Sequence, residues 1–344
     1  MKKMVLVLLI LCLTVSFVFA GGQSTGSAPG VTTSGQLQKP ASIAGRRITW
    51  VIGFAAGGGA DLAARTLAPI IKEMYDLDVV VDNIVGGNGT VALSQILLDR
   101  TGTIVGNFQS STFNSMTLGD FPRVIDDFTW ICTLLGESHC VMVVKDSPIK
   151  TPDDFFNAVK QGKPGDFPAG IAGAINGGEA AMMEFGNILG VKDVLVPVSF
   201  TGASRVVAEM LGGNIPIGVI KINDAVSQVV SGEIRPLFSI SKNRLTGQPN
   251  LPAISEFPIW GNRVPYADPS FMTAYLIGPK SMPDDVRKYL AECWKGALSS
   301  ETFAGIIKDW AVRATPVLTG DEVVTAAKAN QAAFADMLKE FYQK

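Results

Sequence analysis

Histidine is all but missing from this sequence. His139 is the single one in 344 residues, and only four cysteines accompany it. A His-based nucleophilic triad or a His/Cys metal centre has little to be built from, although a count alone excludes neither. Basic clusters are missing too. The 29 Lys and Arg are scattered among 31 Asp and Glu, the net charge is −2, and 17% of residues are charged, so no footprint for nucleic acid is present. No period links the units of the chain, which argues against a solenoid. Both familiar phosphate loops fail as well. Gly59 is followed by Ala60-Asp61 where a P-loop needs Lys and Ser/Thr, and Leu62 stands where a dinucleotide fingerprint needs a small residue.

What is present begins with a targeting pattern. Met1-Lys2-Lys3 is positive, residues 4–19 are almost wholly apolar, and Val18-Phe19-Ala20 fits a cleavage site before Gly21. Residues 1–20 read as an export signal cut after Ala20, with a retained membrane anchor as the alternative. Residues 21–42, rich in Gly, Ser, Thr, Pro and Gln, read as a flexible tether that has too few apolar groups to bury a core. Export leaves Cys132, Cys140 and Cys293, an odd count with at least one free or intermolecular thiol. Cys132 and Cys140 flank Gly136 inside two apolar runs, which reads as a hairpin carrying His139. Two buried thiols are favoured there over a disulfide, whose geometry is demanding.

The chain is organised around residues 48–65. The apolar, β-branched run from Ile48 to Phe54 has the length of one strand. Ala63, Leu67, Ile70, Ile71 and Met74 then mark one face of a helix over residues 61–75. Between them Gly57, Gly58 and Gly59 remove every Cβ that would hold a ligand off the backbone. A helix start of this kind favours an anion through its free N–H groups and dipole. The bland alternative is a tight turn with Asp61 as N-cap or first-turn acid.

The same grammar recurs down the chain. A strand over residues 78–83 leads to a glycine turn at 86–89 and a helix over 90–98, then to a strand over 103–108 ending in Gln109-Ser110-Ser111-Thr112. Strands over 129–135 and 140–145 follow, and Thr151-Pro152 caps the next helix. A second α/β series runs through strands at 169–172, 194–198, 215–220 and 235–239, with small-residue turns at 173–178 and 201–204 before helices. A strand over 272–279 is placed to return to the first sheet, and the remainder is mostly helical with an extended piece at 314–318. Ligands of parallel α/β sheets sit outside the carboxyl ends of the strands, so two facing lobes would gather several helix starts around one ligand.

Five stretches then carry a resemblance, in order along nearly the whole mature chain. They are residues 54–61 with Arg65, residues 80–83 with 86–89, residues 202–203 through 211–213, residues 232–237 with Arg244, Leu251-Pro252 and Glu256, and residues 276–279 before Met282-Pro283. As a set they resemble the extracytoplasmic solute receptors of tripartite tricarboxylate transporters, also called Bug receptors. The resemblance implies a type II periplasmic-binding-protein fold, two α/β lobes around a central ligand cleft, and a small carboxylate ligand held by backbone of the turns matching residues 57–61 and 173–178. It implies a periplasmic, monomeric, non-enzymatic protein that uses no cofactor or metal and hands its solute to membrane permease subunits. The chain departs from the family at Ile84-Val85, at Thr101-Gly102-Thr103, at residues 196–202 and at Pro216, so ligand identity is not carried over.

The expected lobes are residues 43–145 plus 272–344, and residues 146–271. The expected ligand contacts are Ala56, Gly57, Gly58, Gly59, Ala60 and Asp61 in the first turn, and Ser110, Ser111 and Thr112 after the third strand. In the second lobe they are Ala174, Asn176, Gly178, Thr201 and Gly202. Arg65 is expected to pair with a neighbouring acid, Glu179 to serve the helix dipole, and His139 has no assigned role. Three functions stay open: a receptor that delivers a di- or tricarboxylate or an amino acid to a permease, the binding input of a membrane sensor, and an exported enzyme. The last lacks any identifiable nucleophile–base pair.

Overall fold

Alternation of side chains sets the first sheet. Ile48, Trp50 and Ile52 pack into one apolar cluster and Val51 into another, the period-two pattern of a strand buried on both faces. The computed structural model describes residues 37–344 apart from 192, 246, 267, 269–272, 309–311, 314–315 and 342–344. The expected export signal, most of the tether, Met272 and part of the piece at 314–318 lie outside the described residues.

The first set comprises β1 (Ile48–Ile52), α1 (Gly59–Tyr75), β2 (Val79–Asn83), α2 (Thr90–Leu98), β3 (Ile104–Phe108) and α3 (Ser110–Leu118). Next come β4 (Phe128–Glu137), β5 (His139–Val144), α4 (Pro152–Gln161), β6 (Phe167–Ala172) and α5 (Gly177–Leu189). They are followed by β7 (Leu195–Phe200), α6 (Ala203–Leu211), β8 (Ile217–Lys221), α7 (Val226–Val230) and β9 (Ile234–Ser239). β10 (Thr273–Pro279), α8 (Asp284–Leu298), α9 (Glu301–Ile307), β11 (Val312–Arg313) and α10 (Gly320–Phe341) complete the described chain.

Two mixed sheets result, ordered β11-β4-β10-β3-β1-β2 and β7-β6-β8-β5-β9. In each, one antiparallel strand is inserted by chain arriving from the other lobe: β10 between β3 and β4, and β5 between β8 and β9. The first sheet packs α1 and α8 on one face, with Trp50 edge-on to Trp294 at 5.3 Å. Its other face packs Phe108, Phe113, Trp130 and Tyr275 against Phe334 of α10. The second sheet buries Phe155, Phe185 and Phe238 on one face and Met142, Val206 and Met210 on the other.

The expected hairpin of β4 and β5 is corrected by this topology. The two strands never pair; Ser138 carries the chain straight from the first sheet into the second. A tight hairpin needs positive φ at its turn, and none of residues 136–139 has it. Cys132 and Cys140 therefore lie in different sheets, both free and fully buried, and burial pushes both thiols above their ordinary range. Sheet membership accordingly changes at Ser138, and β5 pairs with β8 and β9 in the second sheet. The cap of α4 is as expected: Asp154 N–H donates to Thr151 Oγ1 at 3.1 Å and Thr151 N–H donates to Asp154 Oδ2 at 2.9 Å.

Candidate functional site

The carboxyl ends of β1, β3, β6 and β8 face one cleft, where sheet order reverses on either side of β1 and of β6. Two cavities occupy it. The first, about 50 Å³, is lined by Phe54, Gly58, Gly59, Ala60, Asp61, Gln109, Ser110 and Ser111 from one lobe, and by His139, Asn176, Lys221 and Asp224 among others from the opposite side. The second, about 250 Å³, shares Phe54 and is lined by residues 85–88, Gly173, Ala174 and residues 199–201.

The turn between β1 and α1 is built by short polar contacts. Gly57 takes φ +82°, open to glycine at no steric cost, and its N–H donates to Asp61 Oδ2 at 2.9 Å. Asp61 Oδ1 accepts from Arg65 Nε at 2.9 Å, Arg65 Nη2 donates to Asn83, and Asn83 Nδ2 donates to Phe54 O. Burial works to raise the Asp61 carboxyl, but the hydrogen bonds from Arg65 and Gly57 outweigh it and hold it below the ordinary value. Asp61 is thus a first-turn acid reaching back to the turn; the N-cap is Gly58, which has no side chain to offer.

The first amide of α1 is met from across the cleft. Gly59 N–H donates to Asp224 Oδ1 at 2.5 Å, from the single helical turn Ile222–Ala225 that follows β8. Lys221, the last residue of β8, and Asn223 of that turn both donate to the carboxylate of Glu137, which is 4% exposed at the end of β4. Desolvation pushes the Asp224 carboxyl up to about 6, against the pull of Lys221. Burial also works to lower Lys221, but the charges of Glu137 and Asp224 outweigh it and raise its pKa. His139, 5% exposed, is lowered to about 3 by burial and by the Lys221 charge, so its ring is neutral. Its Nδ1 has no hydrogen-bond partner among the described residues, nor has Asn223 Oδ1.

The matching turn of the second lobe is satisfied from within. Asn176 caps α5, accepting from Glu179 N–H at 3.0 Å and donating to Ala172 O and Gly173 O. Glu179 Oε2 accepts from Ile175 N–H at 2.5 Å. The lobes touch directly elsewhere in the cleft. Ala174 N–H donates to Asn88 Oδ1 at 3.2 Å, and Asn114 Nδ2 donates to Ile175 O.

Seven expected contacts therefore line the first cavity: Gly58, Gly59, Ala60, Asp61, Ser110, Ser111 and Asn176. Ala174 and Thr201 line the second. Ala56, Gly57, Thr112, Gly178 and Gly202 line neither. Gly202 instead packs on Ala55 across the cleft, where an added Cβ would come within 3.1 Å of the Ala55 Cβ. Ser110–Thr112 follow the carboxyl end of β3, as expected, and form the first turn of α3. Lys221 and Asp224 line the first cavity but are absent from the contacts expected from sequence, as are Glu137 and Asn223 behind them, and His139 had no assigned role. The polar run Lys221-Ile222-Asn223-Asp224 at the carboxyl end of an apolar strand was the available signal.

Two α/β sheets exchanging strands around a cleft ringed by helix starts define a two-lobed solute-binding protein. The profile described as "Tripartite tricarboxylate transporter family receptor" (TctC) matches residues 63–330, and the chain belongs to that family, one of solute receptors rather than enzymes. Similar curated proteins include the "UPF0065 protein in tcbD-tcbE intergenic region" of Pseudomonas sp. (strain P51), 25% identical over 65% of this chain and 67% of that one. Another is BugT of Bordetella pertussis, 23% identical over 61% of this chain and 65% of that one. Among solved structures, R. palustris Rpa4515 with adipate superposes at a TM-score of 0.75, with 19% identity over 85% and 96% of the two chains. MatC from Rhodopseudomonas palustris with bound malate gives 0.71, with 19% identity over 85% and 98%. At these identities the likeness establishes the fold.

Proposed function

We propose that this protein is an exported, monomeric periplasmic receptor that captures a small carboxylate-bearing solute between its lobes and delivers it to a tripartite tricarboxylate-type permease. The observation that carries this reading is the convergence of the α1, α3 and α5 starts on one polar cleft, since helix N-termini favour a bound carboxylate. The malate- and adipate-bound relatives of the same fold point to the same solute chemistry. The lobes are the two sheets with their helices, joined at Ser138 and again between β9 and β10. Binding shifts the population toward the closed arrangement, which is the state a permease would read.

The test is a thermal-shift screen of the purified protein against mono-, di- and tricarboxylates and amino acids. At least one acid is expected to raise Tm in a saturable way, because a ligand that binds only the folded state stabilises it by mass action. A flat response to every acid, or a rise with neutral sugars alone, would overturn the reading.

A further inference from the structure

We infer that Asp224 is a built-in competitor of the solute: its carboxylate crosses the cleft to fill the anion seat at the start of α1, and a solute carboxylate binds there only by displacing it. This rests on the receptor reading above and names what sets the affinity of that same site.

The seat follows from the helix itself. The first bond within α1 runs from Leu62 N–H to Gly58 O, so the amides of Gly59, Ala60 and Asp61 precede the helix's own bonding. Gly58 at the N-cap has no side chain to meet them, and the Asp61 carboxylate turns back to Gly57 N–H and out to Arg65. Such a start favours an anion, and a carboxylate already sits on it. That carboxylate is not a local cap. It belongs to Asp224, 165 positions away, whose Oδ1 accepts from Gly59 N–H at 2.5 Å.

The contact is fitted from both sides. A Cβ at residue 59 would come within 2.7 Å of Asp224 Oδ1, so the approach depends on glycine there. Opposite, the segment that carries Asp224 is anchored, since Lys221 and Asn223 both donate to Glu137. Glu137 precedes Ser138, and Lys221 pairs with His139, so this anchor lies where the chain crosses between sheets. Asp224 itself is only partly buried and lines the first cavity, within reach of whatever enters it.

A solute carboxylate and Asp224 cannot share the Gly59 amide, because two like charges at one donor repel. With Asp224 seated, the space left in the first cavity is about 50 Å³, too little for a whole organic acid. The neighbouring cavity of about 250 Å³ shares the Phe54 wall, has no ionisable side chain in its lining and is placed to take the body of the solute. Asp224 therefore sets a threshold. A bare carboxylate offers the seat nothing that the tethered one does not already supply, whereas an acid whose body fills the second cavity does.

The test is calorimetric titration of the purified protein and of Asp224→Ala with acetate, succinate, malate, adipate and citrate. Removing the competitor should tighten each acid that binds by about tenfold or more, the worth of one hydrogen bond to a charged group. Amide exchange followed by NMR reads the swap itself. Gly59 N–H should be protected in the ligand-free protein, unprotected in ligand-free Asp224→Ala, and protected again in that variant once an acid is bound. Equal or weaker binding by the variant would overturn the competitor while leaving the carboxylate receptor intact. So would Gly59 protection that does not depend on Asp224. If Asp224→Ala does not fold, Asp224→Asn, which keeps the shape and loses the charge, should show a smaller gain of the same sign. An unprotected Gly59 N–H in the unaltered, ligand-free protein would overturn the proposal without any variant. Silence of both proteins toward every acid would overturn both readings together.

Discussion

The two lobes begin their cleft helices in opposite ways. In the second lobe, α5 is capped by its own Asn176, and Glu179 closes the turn from within the same chain segment. In the first, Gly58 caps nothing, and the leading amide of α1 is satisfied only by Asp224 from the other side of the cleft. One helix start is complete whether the lobes are together or apart. The other is complete only when they meet, so the α1 end senses closure while the α5 end provides a fixed wall.

The largest expected effect comes from the cluster that presents Asp224. Lys221→Met removes the positive partner of Glu137 while nearly preserving volume, and should lower stability by about 3 kcal/mol, the low end for a broken ion pair because Lys221 keeps some exposure. Urea unfolding at neutral pH measures it. An unchanged midpoint would mean the cross-cleft cap is held without the ion pair.

The pH dependence separates the two sides next. Asp224 has its pKa raised in the folded state, from 3.8 to about 6, so its contribution to stability is present below the lower value and lost as pH rises through the higher one. His139 is lowered from 6.5 to about 3, so its contribution is present above 6.5 and lost as pH falls toward about 3. Between about pH 4 and 6 the two oppose each other. Asp224→Asn should leave the His139 dependence unmasked, giving a Tm that climbs more steeply with pH than that of the unaltered protein. At pH 8 the variant should be more stable by about 1–2 kcal/mol. Parallel Tm–pH curves would show that Asp224 does not titrate in this window.

Neighbouring glycines sharpen the comparison at the same turn. An added Cβ at Gly58 meets nothing closer than Ala55 O at 3.5 Å, whereas one at Gly59 would overlap Asn223 Nδ2 and come within 2.7 Å of Asp224 Oδ1. Gly59→Ala should hold the lobes apart at a cost of about 1–3 kcal/mol, a tenfold to hundredfold loss in solute affinity with a larger radius of gyration by small-angle scattering. Gly58→Ala should change the radius little. The smallest effect belongs to the self-capped helix. Asn176→Ala should cost about 1 kcal/mol of stability, read by urea unfolding, and should do so equally in open and closed forms.

Much of the fold was legible because it rests on local rules. β1 from Ile48, α4 from Thr151-Pro152 and the glycine-led helix starts each follow from period, cap and turn chemistry within about ten residues. Arg65 pairing with Asp61 is an i,i+4 contact and equally local. Local rules fail at residues 136–139, where a hairpin was expected. Two apolar runs around a glycine look alike whether the chain turns back or crosses to another sheet, and only pairing with β8 and β9 distinguishes them.

The sequence by itself determined the elements, the two α/β series and the turns that end at the cleft, since those depend on residues close together in the chain. Tertiary structure alone decided that Asp224 meets Gly59, 165 positions away, and that Lys221 and Asn223 meet Glu137 from 84 and 86 positions away. Charges so distant in sequence influence one another only after the two lobes have folded and brought them within hydrogen-bonding distance, where burial weakens the screening.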